Sequence, residues 1–406
     1  MTILSTQSTQ TSSSANVAKQ LVSSQKPDIP HCSNPVCSNF HPPDKETRWF
    51  TYFGSYHTKV AGKVHRYQCK CCGKTFSYRT FSIDYYTKKN VDYHAIFNHL
   101  VTSTGGGNVC RLQNLTEAIL LNRYQRLSRS LLGLHSVIRD ELTKDECESK
   151  LVLDGFESFS HSQYHPNNIN ILVGSSHEFI YGMGLSILKR KGRMTKKQRA
   201  KRDELELLHK TNPKETLMSV YKLLSDSIIQ MDLNKKIRGG KNQKMILITD
   251  MHKTYPRSLA LADPDNQYFT HVQISSELMR TVLNPLFPVN YADRQFRKDL
   301  ANHVRETVQF SRCPSAMMAR LTLYQVYHNC ISPYRVKEYR KGNRRGRVQC
   351  MGVSKQRMKQ LFDEFWGKRI FHHKLRLWDS EEKTWFMQWR NPGVKMTRYI
   401  PKYISV

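Results

Sequence analysis

The chain has 406 residues, enough for two or three domains and a sizeable core, and carries 64 Lys and Arg against 33 Asp and Glu, a formal charge of +31. That charge points to a polyanionic partner, nucleic acid or an anionic surface. Without an apolar run near the roughly 18 residues of a spanning helix, a membrane is not the expected partner.

Residues 1–30 are biased to Ser, Thr and Gln and lack a charged start followed by an apolar run. They read as a disordered leader rather than a secretory signal. Ten cysteines are too sparse for a disulfide scaffold, and five of them crowd into residues 32 to 72. That clustering indicates metal binding in a reducing compartment, hence a cytoplasmic protein.

Residues 31–80 supply the metal pattern. "HCSNPVC" offers Cys32 and Cys37, and "CKCCG" offers Cys69 and Cys72, two thiolate pairs of the kind that hold structural Zn²⁺ tetrahedrally. Cys72 is preferred to Cys71 because a C-x-x-C turn wraps its amides around the metal, and Gly73 then stands where φ > 0 is useful. His31, His57 or His65 in place of one thiolate is the alternative. The aromatic and β-branched stretch between the pairs, turning at Ala61-Gly62-Lys63, predicts a ribbon hairpin. So small a module needs the metal to fold, and Lys70, Lys74 and Arg79 beside the knuckle are expected to face phosphates.

Residues 90–145 predict helices broken by the glycines at 105 to 107, with a long helix starting after Asn114 or Thr116. Arg123, Arg126 and Arg129 recur along it at i, i+3, i+6 as one polar edge. Two helices across a glycine turn, the second basic, form a helix-turn-helix pattern for DNA.

Residues 148–335 predict an α/β domain. "SKLVLDGFES" and "QKMILITDMHKTYP" are apolar runs closed by Asp154 and Asp250, and "NINILVGSS" and "FIYGMGLSIL" are two more strands. Strand-end aspartates on neighbouring strands can share divalent ions. A third acid comes from "VNYADRQFRKDLANHVRETVQF", read as one helix with an apolar stripe from Val289 to Val308. Asp293 falls roughly 25° from the centre of that stripe, at about 100° per residue. A buried acid there needs a partner, Arg297 or a metal. Glu306 and Glu277 remain alternatives. Three carboxylates with two Mg²⁺ (or Mn²⁺) form the site that splits phosphodiesters.

A basic insertion, about 189–235, opens with Lys189, Arg190, Lys191, Arg193, Lys196 and Lys197, candidate phosphate contacts, and a capping box pairs Thr195 with Gln198. Residues 336–406 are basic, and "LRLWDSEEKTWFMQW" within them concentrates three of the five tryptophans. They fit DNA contact, a packed accessory subdomain or a dimer contact equally.

The order of "CSNPVC", "YQCKCCGKTFS", "DGFESFSHSQYHP", "LKRKGRMTKKQRAKR", "ITDMHKTYP" and "NPLFPVNYADRQFRKDLANHVRETVQFS" resembles the bacterial insertion-sequence transposases, over about residues 30 to 335. The resemblance implies a ribonuclease-H-like mixed sheet with flanking helices, behind a zinc ribbon and a helix-turn-helix. It also implies Asp154, Asp250 and Asp293 as the Mg²⁺ triad. The implied partners are double-stranded DNA (terminal inverted repeats and target) and further copies of the chain assembled on it, in association with the nucleoid. One departure stands out: related enzymes often carry glutamate as the third acid, some of them near Asn290.

Overall fold

The stretch read as a ribbon hairpin folds as β1 (Phe50–Thr58) and β2 (Gly62–Cys69), antiparallel, with the short β3 (Thr75–Phe76) beside β2. Thr58 pairs with Gly62 across the turn, where the Ala61 amide donates to Thr58 Oγ1 at 2.9 Å. Trp49, Val64, Tyr67 and Phe76 are buried and make its small core. The computed structural model describes residues 29–42, 48–142, 148–208, 210–238, 244–304, 306–391 and 401–405. The expected leader, apart from Ile29 and Pro30, lies outside them. The chain divides into two units, the first ending at Phe81 and the second beginning at Ser82.

The second unit is built on one mixed sheet. Its strands are β4 (Lys150–Phe159), β5 (Pro166–Gly174), β6 (Ile180–Ile187), β7 (Met245–Asp250) and β8 (Phe269–Ile274), in the order β6-β5-β4-β7-β8. β4, β5 and β6 are antiparallel neighbours, whereas β7 runs parallel to β4 and β8 parallel to β7. The apolar runs Leu151–Leu153 and Ile171–Val173 are buried as central strands require.

Helices cover both faces. On one face, α5 (Glu215–Arg238) packs on β5 and β6, and Asn170 Nδ2 donates to Ser219 Oγ at 3.0 Å. Gly184 admits that approach, since a Cβ there would lie 2.5 Å from Ser219 Oγ. Asn170 pairs with Gly155, so the next pair, Phe156 with Ile169, points to the opposite face. There Phe156 meets Phe296 of α7 (Phe287–Asp299) edge-on at 5.6 Å. Before the long helix come α1 (Tyr93–Leu100) and α2 (Gly106–Leu112), and the basic insertion opens with α4 (Lys196–Leu208). At the start of α4 the Thr195 amide donates to Gln198 Oε1 at 3.0 Å and the Gln198 amide donates to Thr195 Oγ1 at 3.2 Å, so the expected capping box forms.

The structure qualifies two expectations and corrects one, the second below. First, residues 90–142 belong to the same unit as the sheet. Their long helix, α3 (Glu117–Leu142), is enclosed by α1, α2, α8 (Pro314–Val326), α11 (Lys355–Phe365) and α12 (Asp379–Trp385). Second, α7 stops at Asp299: Leu300 turns extended, with φ −116 and ψ 107, and Val304 and Val308 are exposed instead of continuing the stripe. Third, of the readings open for the tail, the packed accessory layer fits the tryptophans of its residues 375–389. Trp378, Trp385 and Trp389 are buried, and Arg139 of α3 grips Glu381 of α12 through two contacts of 2.5 and 3.0 Å. These three tryptophans are packed into an accessory layer, while Trp366 is half-buried and stacks on His94 of α1.

Candidate functional site

The cysteine quartet is assembled. The sulfur atoms of Cys32, Cys37, Cys69 and Cys72 all lie within 4.8 Å of one another, with Cys32–Cys72 at 3.5 Å and Cys37–Cys69 at 3.8 Å. Zn–S bonds of about 2.3 Å in a tetrahedron put sulfurs about 3.8 Å apart, so the residues fit Zn²⁺. Gly73 has φ +71 and its amide donates to the Cys69 carbonyl at 3.0 Å, closing the knuckle as expected. Burial pushes the Cys69 thiol up, but the Cys72 amide, Asn39 and the Cys71 amide prevail and draw it down to about 7, towards the metal-binding thiolate. Cys71 is exposed and outside the quartet. His31 bonds the Cys32 carbonyl at 2.7 Å, and His57 and His65 are exposed on the hairpin, so the four cysteines are the group whose geometry fits the ion. Lys70 and Lys74 are exposed as expected; Arg79 is buried.

The acids converge on one face of the sheet. Leu153 pairs with Thr249, so Asp154 and Asp250 stand side by side where the parallel ladder of β4 and β7 ends. β4 itself runs on to Phe159 beside β5, which makes Asp154 a mid-strand residue rather than a strand-end one. Asp154 shares the parity of Phe156 and so faces α7. Asp293 sits beside the buried stripe Val289, Ala292 and Phe296 of that helix. Tyr255, on α6 (Thr254–Ala262), donates its hydroxyl to Asp154 Oδ1 at 3.1 Å and feels the charges of all three acids.

The electrostatics are those of crowded carboxylates. Burial pushes the Asp154 carboxyl up, the Gly155 amide at 2.7 Å opposes it, and the Asp250 charge raises it again. Burial, then the Asp154 charge, pushes Asp293 well above the ordinary range, against Arg297 and Arg280. No hydrogen bond reaches Asp293 Oδ1. Arg297 is engaged elsewhere, donating to the Glu157 carbonyl at 3.1 Å and lying over the Phe156 ring. Asp250 Oδ1 accepts from the His252 amide at 2.8 Å. Among the described residues, the cysteine quartet is the only group of three or more such ligand atoms lying within 4.8 Å of one another. The carboxylates are therefore neighbours without being drawn into a closed ligand cluster. Glu277 and Glu306 are exposed in loops, Glu306 with φ +56.

Protein-family models, curated proteins and solved structures return no match to this chain.

The expected DNA-contacting arginines of α3 are buried. Arg123 donates to the Lys89 carbonyl at 2.7 Å, Arg126 to the Ile83 and Tyr85 carbonyls at 2.9 and 2.8 Å, and Arg129 to the Trp385 carbonyl at 3.0 Å. They clamp loops onto the helix and do not present charge to a ligand. In the insertion, Lys189, Lys191, Arg193, Lys196 and Lys197 are exposed, while Arg190 is half-buried over the Tyr164 ring at 4.8 Å. Tyr255 and Arg280 escaped the sequence reading. Tyr255 stands five positions after Asp250 in "DMHKTYP", but nothing there tells a core tyrosine from one bonded to an acid.

Proposed function

We propose that the second unit is a ribonuclease-H-like core that cleaves DNA at the ends of an insertion sequence and joins 3′-hydroxyls to a target, as a transposase does. The observation that carries this reading is the side-by-side standing of Asp154 and Asp250 on adjacent parallel strands, opposite an Asp293 whose Oδ1 accepts no hydrogen bond. Three antiparallel strands followed by two parallel ones in the order β6-β5-β4-β7-β8 support the fold part of it. In this reading the three aspartates hold Mg²⁺ or Mn²⁺. The metal supplies Lewis-acid activation of the attacking water or 3′-hydroxyl and steadies the leaving oxygen. Tyr255 fixes the Asp154 carboxylate through its hydroxyl, and Arg280 offsets part of the crowded negative charge. Helices α1 to α3 are the helix-turn-helix of the reading, with the exposed Arg111 of α2 towards DNA in place of the buried arginines of α3. The zinc ribbon adds Lys70 and Lys74, several copies assemble on the terminal inverted repeats, and the protein works at the nucleoid.

A second reading, a DNA-binding regulator with an inert core, draws support from carboxylates that do not close into one ligand cluster. Incubating the protein and Mg²⁺ with a labelled element end separates the two. The transposase reading expects Asp154→Ala, Asp250→Ala and Asp293→Ala each to lose cutting while retaining binding. Cutting that persists in all three variants overturns the triad, absence of cutting in the wild type favours the regulator, and cutting without joining leaves a plain nuclease.

A further inference from the structure

Residues 335 to 345, "RVKEYRKGNRR", leave the body of the second unit as a loop that opens with the short helix α9 (Val336–Arg340) and has a well-built neck. The Tyr334 amide donates to the Arg345 carbonyl at 3.0 Å, closing the loop on itself. The Tyr334 hydroxyl donates to the Ser176 carbonyl at 2.8 Å, in the turn between β5 and β6. Just past the neck, Arg347, the first residue of α10 (Arg347–Cys350), is buried, paired with Glu178 at 2.9 Å and donating to the His328 carbonyl at 3.0 Å. Gly346 lies so close to the Cys330 carbonyl that a Cβ would sit 2.6 Å from its oxygen.

The loop so anchored carries mostly charge. Arg335, Lys337, Arg340, Lys341, Arg344 and Arg345 are all exposed, and Arg344 lies over the exposed Tyr339 ring at 5.1 Å. Arg335, Lys337, Arg340, Lys341 and Arg344 form no ion pair among the described residues. Cations this close repel one another within the Debye length of about 10 Å at 0.1 M salt, so the display costs free energy when nothing binds it. A buried ion pair behind such a loop does little for stability by itself and is better understood as fixing the loop's position.

We propose that residues 335–345 are a phosphate-binding loop for duplex nucleic acid, rooted at the end of the sheet opposite the aspartates. The β5–β6 turn adjoins the start of β4, since Leu151 pairs with Gly174, whereas Asp250 closes β7 at the other end. The loop therefore grips DNA away from any cutting site and lengthens the footprint without reading sequence. Duplex is favoured over an anionic membrane because guanidinium forks suit phosphate oxygens, and because the exposed Tyr339 ring lies under the Arg344 guanidinium instead of standing bare for insertion. The proposal rests on the DNA-binding part of the reading above and is independent of its chemistry.

The test uses the full chain, Lys341→Ala/Arg344→Ala, and Lys355→Ala/Lys359→Ala as a control that removes equal charge from the exposed side of α11. Affinity for a random-sequence duplex is measured across salt concentrations. Each lost phosphate contact lowers the slope of log K against log salt by about 0.9, so the loop variant is expected to lose about 1.8 and the control under about 0.5. An unchanged slope in the loop variant, or equal losses in the two variants, overturns the proposal. So does a loop variant that loses binding to phosphatidylglycerol vesicles but keeps its duplex slope. A wild type that binds the duplex with this slope change but never cuts leaves the loop standing and removes the transposase; failure to bind any duplex removes both.

Discussion

Replacing Asp293 by Asn is expected to stabilise the metal-free protein at neutral pH and to abolish its stabilisation by Mg²⁺. The Asp293 carboxyl lies against the buried stripe of α7, Oδ1 accepts no hydrogen bond, and burial together with the Asp154 charge raises its pKa well above the ordinary value. A raised carboxyl binds its proton more tightly in the folded than in the unfolded state. Its contribution is full below an unfolded pKa of about 4 and declines as pH climbs towards the folded pKa. At neutral pH the wild type has lost part or all of that contribution, and the uncharged amide has none to lose. An unsatisfied buried polar group costs about 1–3 kcal/mol. A unit running from Ser82 to Val406 unfolds with about 2.1 cal/mol/K per residue, so each kcal/mol moves the midpoint by about 1.5 °C. The Asn variant should therefore melt about 1.5–4 °C above wild type in chelator at neutral pH, with the gap closing near pH 4. Mg²⁺ at about a hundredfold excess over its dissociation constant adds about 2.7 kcal/mol to whichever protein binds it, about 4 °C here. Calorimetry in chelator and in Mg²⁺ reads both effects. A wild type indifferent to Mg²⁺ and Mn²⁺, or an Asn variant that responds as strongly, refutes the assignment of Asp293 to a metal.

Metal analysis of purified variants should find zinc lost in Cys69→Ser and Cys72→Ser and kept in Cys71→Ser; equal zinc in all three would remove the quartet. Arg126→Met should lower the unfolding midpoint while leaving the salt slope of DNA binding as in wild type, because its guanidinium is committed to the Ile83 and Tyr85 carbonyls. A changed slope would return α3 to the DNA surface. Glu381→Gln leaves the Arg139 charge buried without its counter-ion and should cost about 3–5 kcal/mol in denaturant titration, while Arg139→Met/Glu381→Leu recovers most of the loss. Burial raises the Glu381 carboxyl, but Arg139 and His135 prevail and hold it at about 2, so the stability it provides is present at neutral pH and fades as pH falls from about 4.5 to 2. A stability flat across that acid range in wild type would contradict the pairing.

What could be read from residue order alone follows from how local each interaction is. The cysteine pairs, the glycine behind Cys72 and the Thr195–Gln198 box are settled within a few residues, and all three appear in the structure. The apolar runs of the sheet were equally legible, because a strand buried on both faces has no polar side to show. Where a partner comes from far along the chain, composition misleads. Arg123, Arg126 and Arg129 have the spacing of a solvated helix edge, yet their acceptors are carbonyls of residues 83, 85, 89 and 385. A guanidinium with a buried acceptor is indistinguishable in sequence from one in water. The end of α7 hides for the same reason: no Gly or Pro marks Leu300, and the apolar period runs on to Val308.

These misreadings change where the chain's charge can act. With three arginines of α3 and Arg79 buried, two runs of exposed cations remain prominent, one in the insertion around Lys189–Lys197 and one in the loop 335–345. The first leaves the sheet after β6 and the second follows α8, both remote in sequence from the glycine turn that first suggested a reader. The structure therefore divides two roles that the sequence ran together. Buried arginines bind the long helix to distant loops, and in the proposed reading the exposed ones on excursions from that body carry the electrostatic contact. If so, neutralising α3 costs stability and neutralising the excursions costs affinity. A chain in which one set of substitutions did both would not be built this way.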